Sequence, residues 1–309
     1  MFDSKRYSEF ATMSEDLGSG TLSAAFINAP LAMSLHAKGV PIKIVYLGHR
    51  DGTTLMVGAN SGITSFAQLK GKKILIPSAF SNQKLWIARL CKQYGIALSD
   101  LDLRVAPPPE MPSLLETGSC DAYAVGEPHA ARAEMAGTGR VLLHVKDSWP
   151  NFISCVLVVR EDLMAQSSSI VQELVDGIAG SGLWLEQSVE NRLSAAQVAG
   201  KYYYNQKPEL VQFVMQKPVD RVRYENLAPA KADFEEIMDL ALETGMFTQR
   251  MRFEEYCDTR FSESFGGEML PMPPDDGLGK VGGVKVVPPK PAASQPASAP
   301  AAPAGGGNK

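Results

Sequence analysis

The chain has 309 residues, 45% of them hydrophobic and 21% charged, a composition typical of a globular protein large enough for two domains. The net charge of −4 and the lack of any Lys/Arg-rich run argue against nucleic acid or an anionic membrane surface as a partner. No apolar run reaches the ~18–20 residues that a membrane helix needs. The four cysteines are widely spaced and form no CxxC pair, so we expect neither a metal site nor a cofactor.

The predicted elements alternate between helix and strand along most of the chain. The end of an amphipathic helix at 5–17 is followed by an apolar strand and a Pro-started helix. Further strands are predicted at Ile42–Leu47, 55–58, 73–77, 101–106, 141–145 and Asn151–Arg160, with helices at 84–95, 168–206 (broken near Gly180 and Gly182) and Ala230–Glu243. Beyond Phe265 the aromatic residues stop, and the Pro/Ala/Gly-rich composition of 266–309 predicts a disordered tail.

One stretch of the chain occurs as two similar copies. Residues 17–39 and 115–137 match at five positions without a gap, at a constant offset of 98 residues, as from Gly20 to Gly118. Each copy reads as a helix end, a Gly turn, a short strand and a Pro-started helix, and each is followed by another strand. Because a unit of this size cannot bury its own apolar face, each copy is expected in its own α/β layer. Two such layers predict a cleft between them that binds a small molecule.

The same offset predicts that the first layer is incomplete. The second copy is preceded by a strand that starts at Lys73, and subtracting 98 from 73 gives a position before Met1. We therefore expect this chain to lack about one βαβ unit, about 30 residues or more, at its front. The N-terminus also shows no apolar stretch or cleavage pattern of a secretory signal.

The run from Leu17 to about Phe261 resembles the solute-binding proteins of ABC importers for nitrate, bicarbonate, sulfonates, taurine and thiamine precursors. The resemblance rests on SGITSFAQLKGKKILIPSAFS, LETGSCDAYAVGEPHAARAEMAGTGRVL and VLVVREDL, and near the end on VRYENLAPAKADFEEIMDLALETGMF and YCDTRF. Two departures stand out: the family usually has Asp where this chain has Ser23, and it begins with an export signal and a first strand that contributes to the ligand site.

The resemblance implies an α/β fold of the two-lobed, periplasmic-binding-protein type (type II), which hinges closed on its ligand. It implies an N-terminally incomplete lobe I at 1–58 and lobe II at 59–150. The returning crossover strand, the completion of lobe I and the C-terminal helices would follow at 151–265, ahead of the tail. The implied function is capture of a small anion or organic acid for delivery to a permease and an ATPase. The implied protein is monomeric and periplasmic or extracytoplasmic, or cytoplasmic if the start at Met1 is genuine.

Ligands of open α/β sheets lie beyond the carboxyl ends of strands, where helices begin. Ser78, Ser81, Asn82 and Gln83 follow a predicted strand and open a helix, so their side chains and the backbone N–H groups suit an oxyanion. Alternatively, Ser81 only caps the helix. Thr53 and Thr54 end the loop before the next strand. The resemblance implies that they face the cleft. Alternatively, they are an ordinary pair of threonines at the junction of a loop and a strand.

The repeat places Asn28 of lobe I and the 126–128 segment of lobe II opposite each other. Glu127 could accept from a cationic ligand or contact an Arg. His129 could donate to an anion when protonated, or could simply be solvated. Asn151, ahead of the returning strand, is a further candidate.

No catalytic motif of the GxSxG, HExxH or Walker type is present, so we expect a binder rather than an enzyme. Two alternatives remain open. One is an enzyme of the same fold that makes the thiamine pyrimidine, against which the lack of a Cys cluster argues. The other is a ligand-sensing regulatory module tethered by the tail.

Overall fold

The structure, a computed structural model, describes residues 4–199, 207–272 and 285–287. The strands are β1 (Lys5–Tyr7), β2 (Ala24–Ile27), β3 (Ile42–Asp51), β4 (Thr53–Gly58), β5 (Lys73–Ile76), β6 (Asp102–Val105), β7 (Ala122–Gly126), β8 (Gly139–His144), β9 (Ile153–Arg160), β10 (Val222–Arg223) and β11 (Lys285–Val287). The helices are α1 (Phe10–Ser19), α2 (Ala29–Ala37), α3 (Asn82–Tyr94), α4 (Met111–Glu116), α5 (His129–Ala136), α6 (Glu161–Gln166), α7 (Ser168–Gln187), α8 (Val189–Val198), α9 (Pro208–Gln216), α10 (Lys231–Glu243), α11 (Phe253–Tyr256) and α12 (Arg260–Glu263).

Two sheets define two lobes, which confirms the predicted two-lobed α/β class. The sheet of lobe I has the strand order β10-β3-β9-β2, and the sheet of lobe II has the order β6-β5-β7-β4-β8. In lobe II, β5 pairs in parallel with both β6 and β7, while β4 runs antiparallel between β7 and β8. In lobe I, β9 runs antiparallel between β2 and β3.

The internal repeat is a structural repeat. Adding 98 to the bounds of β1, β2 and β3 leads to β6, β7 and β8, and adding 98 to α1 and α2 leads to the α4 and α5 regions. The chain leaves lobe I at the end of β3 and enters lobe II at β4, with Gly52 between them at a φ of +70°. It returns to lobe I through Asn151 and β9. The two crossings lie side by side, because the Asp51 N–H donates to the Phe152 carbonyl over 2.9 Å.

A continuous apolar core lies beneath both crossings, with Trp86 of α3 and Phe152 fully buried in it. The predicted apolar face of α10 is confirmed, since Phe234, Ile237 and Met238 are at most 2% exposed. Among the described residues, no helix combines the length and the hydropathy that crossing a membrane requires.

Three local expectations were wrong. Residues 5–7 form strand β1, whereas a helix was expected there. Helix α7 runs unbroken through Gly180 and Gly182 and ends only at Gln187. Gly180 serves close packing there and does not end the helix, because a Cβ atom at this position would lie 2.7 Å from the Glu268 carbonyl oxygen. Within the segment predicted to be disordered, Lys285–Val287 form β11, which pairs in parallel with β1. Residues 200–206 of the predicted helical segment and the rest of the tail beyond 272 lie outside the described residues.

Candidate functional site

A cavity of about 300 Å³ lies between the two lobes. Three helices begin at its wall: Asn28 precedes α2, Gln83 is in the first turn of α3, and His129 opens α5. Because the first turn of a helix leaves backbone N–H groups without intrahelical partners, each of these ends carries partial positive charge. The cavity is lined by Arg6, Tyr7, Ser8, Glu9, Phe10, Met13, Phe26, Asn28, His49, Pro77, Gln83, Pro108, Pro109, Val125, Gly126, Glu127, Pro128, His129, Arg132, Ser154 and Cys155.

The three residues at the start of α3 have three different roles: one caps the helix, one ties it to a strand and one lines the cavity. The hydroxyl of Ser81 accepts from the Lys84 N–H over 3.2 Å and is fully buried, so Ser81 serves as the N-cap. Asn82 donates through Nδ2 to the carbonyls of Ile153 (2.7 Å) and Ser154 (2.9 Å), which ties α3 to the returning strand β9. Gln83 alone of these three lines the cavity.

The Gln83 amide can present either of its ends to a ligand. Its Nε2 lies 3.0 Å from the Thr53 hydroxyl, and its Oε1 is buried without a hydrogen-bond partner. The Thr53 hydroxyl can donate as well as accept, so a half-turn of the amide exchanges the two ends without loss of that bond. The side chain can then offer an N–H donor to an acceptor ligand.

Glu127 is held by the protein rather than left for a cationic ligand. Its Oε1 accepts from the Thr54 hydroxyl (3.2 Å) and its Oε2 accepts from the Ala131 N–H (2.9 Å). The guanidinium of Arg221 lies 3.5 Å from Oε1, and both side chains are nearly fully buried. Burial raises the pKa of Glu127, and the charge of Arg221 opposes that rise. Of the two roles considered for Glu127, contact with an Arg is the one that this geometry supports.

His129 lines the cavity as a neutral imidazole. Burial, together with the charges of Arg132 and Arg6, lowers its pKa from 6.5 to about 4. The sequence left open a protonated donor or a solvated side chain, and burial of the ring favours neither, because that burial depends on segments distant in sequence. Its Nδ1 is buried without a hydrogen-bond partner, so the ring has one nitrogen available to a ligand as donor or acceptor, depending on the tautomer.

This lowered pKa predicts a pH-dependent contribution to stability. The unfolded chain binds a proton at His129 below pH 6.5 whereas the folded chain does not until about pH 4, so stability present above 6.5 is lost as the pH falls. We expect His129→Gln to reduce the loss of unfolding free energy between pH 7 and pH 5 by about 1–2 kcal/mol. Urea melts of both proteins at the two pH values measure this. An identical pH dependence in the variant would contradict the buried, neutral state of His129.

The remaining predicted residues lie at different places. Asn28 lines the cavity and Thr54 lies behind it, fully buried against Glu127. Ser78 lies in a neighbouring depression formed with α1, where its hydroxyl accepts from the Phe80 N–H. Asn151 is exposed at the return crossing and does not line the cavity.

The crossings are held by a cluster of charged residues. The guanidinium of Arg50 donates to the carbonyls of Asn226 (2.8 Å) and Asn151 (2.6 Å) and to the carboxylate of Asp233 (2.8 Å). The buried carboxylate of Asp51 accepts from Arg223 over 2.7 Å. These contacts bring both crossings and the segment before α10 together.

On the lobe I side of the cavity, sequence reasoning predicted Asn28 and missed the other side chains. Arg6 and Phe10, from β1 and the start of α1, line the cavity together with Phe26, and Arg132 lines it from lobe II. The repeat carried a usable signal, since adding 98 to Arg6 leads to Arg104 in a predicted strand next to the second copy. Residues 5–7 could have been recognised as the counterpart of that strand.

One thiol, that of Cys155, lies among the side chains that line the cavity. Burial raises the pKa of the cavity-lining Cys155 thiol to about 11, so it stays protonated at neutral pH. Across the described part of the chain, no group of three His, Cys, Asp or Glu side chains is placed to hold a metal ion.

Comparison with known proteins identifies binding proteins. The chain is 24% identical over 218 residues to the nitrate/nitrite binding protein NrtA of Synechococcus elongatus, covering 61% of this chain and 48% of that protein. It is 27% identical over 112 residues to a protein of Escherichia coli named for binding aliphatic sulfonates, covering 35% of each. The matches thus span about half or less of the length of these curated relatives.

Among solved structures, the chain is similar in fold to a ligand-binding component of an ABC-type import system from Staphylococcus aureus, solved with zinc bound. The TM-score is 0.76 at 23% identity, covering 84% of this chain and 87% of that chain. The relatives named are binding components, in agreement with the prediction of a binder rather than an enzyme. Residues 6–200, more than half of the chain, match the model of the NMT1-like family, and the chain therefore belongs to that family.

Proposed function

We propose that this chain is the solute-binding component of an ABC importer and closes its lobes on a small organic oxyanion. The observation that carries the proposal is the meeting of three helix starts, those of α2, α3 and α5, at one cavity between the lobes. Helix N-termini favour anions because their N–H groups and dipoles point at the ligand. The relatives named for nitrate and for aliphatic sulfonates support an oxyanion as the ligand.

The charge at the cavity favours an anion. Arg6 and Arg132 supply two guanidinium groups, against the carboxylates of Glu9 and Glu127. Glu127 is already compensated by Arg221, and the Glu9 carboxylate accepts from the Thr12 hydroxyl over 2.8 Å. The helix starts and the charges of Arg6 and Arg132 place positive charge at the wall of the cavity, and the Glu9 carboxylate offsets part of it.

The size and the apolar part of the cavity favour an organic rather than an inorganic anion. Its volume of about 300 Å³ is at the lower end of the range for small-molecule sites and exceeds what a four-atom nitrate fills. Apolar side chains stand beside the polar ones: Phe10, Met13, Phe26, Pro77, Pro108 and Pro109. A sulfonate or carboxylate head at the helix starts, with a short alkyl tail against these residues, uses both parts.

In this proposal the protein is a monomer that works outside the cytoplasm. It delivers its ligand to a membrane permease driven by an ATPase, as the import-system relative suggests. Closure occurs about Gly52 and Asn151, where the chain crosses between the lobes.

Thermal melts of the full chain with a panel of anions test the proposal. The panel contains nitrate, bicarbonate, taurine, alkanesulfonates of increasing length and a thiamine pyrimidine precursor. A ligand that binds only the folded state adds about 2.7 kcal/mol of stability at a hundred times its dissociation constant. We expect alkanesulfonates to raise the midpoint most. A sharp melt that no anion shifts would reject the proposal.

A cavity-filling substitution should abolish this shift without unfolding the protein. Gly126 of β7 lines the cavity, and a Cβ built on it meets no atom within 4 Å. We expect Gly126→Phe to fill this space and weaken ligand binding at least ~100-fold, with little change in the melting midpoint of the unliganded protein. The matched control is Gly266→Phe, at an exposed glycine outside the cavity that also has open space at its Cβ. Retained affinity in the Gly126 variant would place the ligand elsewhere.

A further inference from the structure

The two lobes have the same strand order, and one strand position of lobe I is paired on only one of its two sides. In lobe II the order is β6-β5-β7-β4-β8. With the offset of 98, β1 stands for β6, β2 for β7, β9 for β4 as the crossover strand, and β3 for β8. The counterpart of β5, which lies between β6 and β7, is the position between β1 and β2.

Strand β11 already makes one of the two pairings that define this position. It pairs in parallel with β1, as β5 pairs in parallel with β6. Within the described residues, β2 carries a ladder only on its β9 side. In lobe II the corresponding edge of β7 is covered by β5.

Register and sequence agree with this equivalence. Lys5 pairs with Lys285, and Leu103, which is 98 residues beyond Lys5, pairs with Ile74. This equates Val286 and Val287 with Leu75 and Ile76, and the residue after each strand is a proline, Pro288 in one case and Pro77 in the other. Lys285 is the one departure, since β5 carries Ile74 at that place.

We propose that Lys285–Val287 is the missing strand of the lobe I sheet, seated between β1 and the open edge of β2. The ladder of β5 with β7 joins Ile74 to Ala122 and Leu75 to Tyr123. The equivalent ladder joins Lys285 to Ala24 and Val286 to Ala25. The C-terminal segment thereby completes the sheet of lobe I and holds β1, whose Arg6 and Tyr7 line the cavity, in place.

A disulfide trap in the full-length chain tests this register. Neighbouring strands lie about 4.8 Å apart, within the Cα separation of about 4.4–6.8 Å that a disulfide spans. In a Cys155→Ala background, we expect Ala25→Cys with Val286→Cys to form an intramolecular disulfide, identified by mass spectrometry of peptides from the monomer. Arg6→Cys with Val286→Cys is the positive control, because those two residues pair in the structure. Ala25→Cys with Ala297→Cys is the control for random encounter.

The outcomes separate the possible placements. A disulfide yield for the Ala25→Cys, Val286→Cys variant well above that of the random-encounter control supports the proposal. A disulfide in the positive control with none between positions 25 and 286 overturns it, because β11 would then lie on β1 away from β2. A disulfide found only in covalent dimers also overturns it, since the strand would be exchanged between copies.

A second measurement does not depend on cysteine chemistry. Hydrogen exchange of the backbone at Ala24–Ile27 is compared between the full chain and a chain ending at Met272. If the tail segment completes the sheet, we expect exchange in the shorter chain to be at least ~10-fold faster at the β2 amides that face away from β9 and unchanged in lobe II at β5. Equal protection of β2 in the two chains would overturn the proposal even if the shorter chain is less stable.

Discussion

Replacing Arg221 with Met is expected to destabilise the fold by about 3–5 kcal/mol. The Arg221 side chain is 1% exposed and has two carboxylates around it, with Nη2 donating to Glu134 over 2.7 Å and Nε 3.5 Å from Glu127. Its guanidinium also stacks over the ring of Phe213. Methionine fills much of the same volume but leaves Glu127 buried without its cation. Urea-induced unfolding at pH 7 measures the loss.

The charge mechanism predicts two further results. Removing both charges, with Arg221→Met and Glu127→Gln together, should recover a large part of the loss, because no uncompensated charge then remains buried. The deficit of the single variant should also shrink at acid pH. Without Arg221 the raised pKa of Glu127 rises further, and stability that is present when Glu127 is protonated is lost as the pH increases through that pKa. An equal deficit at pH 4.5 and pH 8 would indicate lost packing alone.

The second large effect is expected at the crossings between the lobes. Arg50 is 4% exposed and donates three hydrogen bonds to Asn226, Asn151 and Asp233. Arg50→Met leaves two backbone carbonyls and a carboxylate without their donor, at a cost of about 3–5 kcal/mol. Arg50→Lys should recover little, because an ammonium group cannot reproduce the planar geometry of three diverging bonds.

A matched control separates the buried contacts from the general loss of an arginine. Arg250 pairs with Asp239, and both side chains are more than half exposed. Solvent and salt screen such a pair, so Arg250→Met should cost less than about 1 kcal/mol. Comparable losses in the Arg50 and Arg250 variants would contradict the role given to the crossing cluster.

The sequence was sufficient to predict the fold because the signals there are local and repeated. Gly20 and Gly118 both end helices in the left-handed region, at φ of 82° and 73°, and the elements that follow each glycine repeat in the same order. The apolar face of α10 was predicted correctly because helical spacing decides which side is buried. The unbroken course of α7 was missed because it depends on packing between distant segments, Gly180 against Glu268.

The cavity was predicted only in part, for a related reason. Gln83, Asn28, Glu127 and His129 were correctly expected to come together, since each follows a strand and lies near a helix start. Which Arg contacts Glu127 was not predictable, because Arg221 and Glu127 are far apart in sequence. Whether the residues at the cavity bind ligand stays a prediction.

Isothermal titration calorimetry with a series of linear alkanesulfonates tests the central claim most directly. For the full-length protein at pH 7 we expect one site per chain and an affinity that rises about fourfold for each added CH₂ until the apolar wall is covered, as ~0.8 kcal/mol per buried CH₂ implies. We also expect nitrate to bind more weakly and Gly126→Phe to abolish the heat. Absence of binding by every anion, or undiminished binding in Gly126→Phe, would contradict an oxyanion site between the lobes.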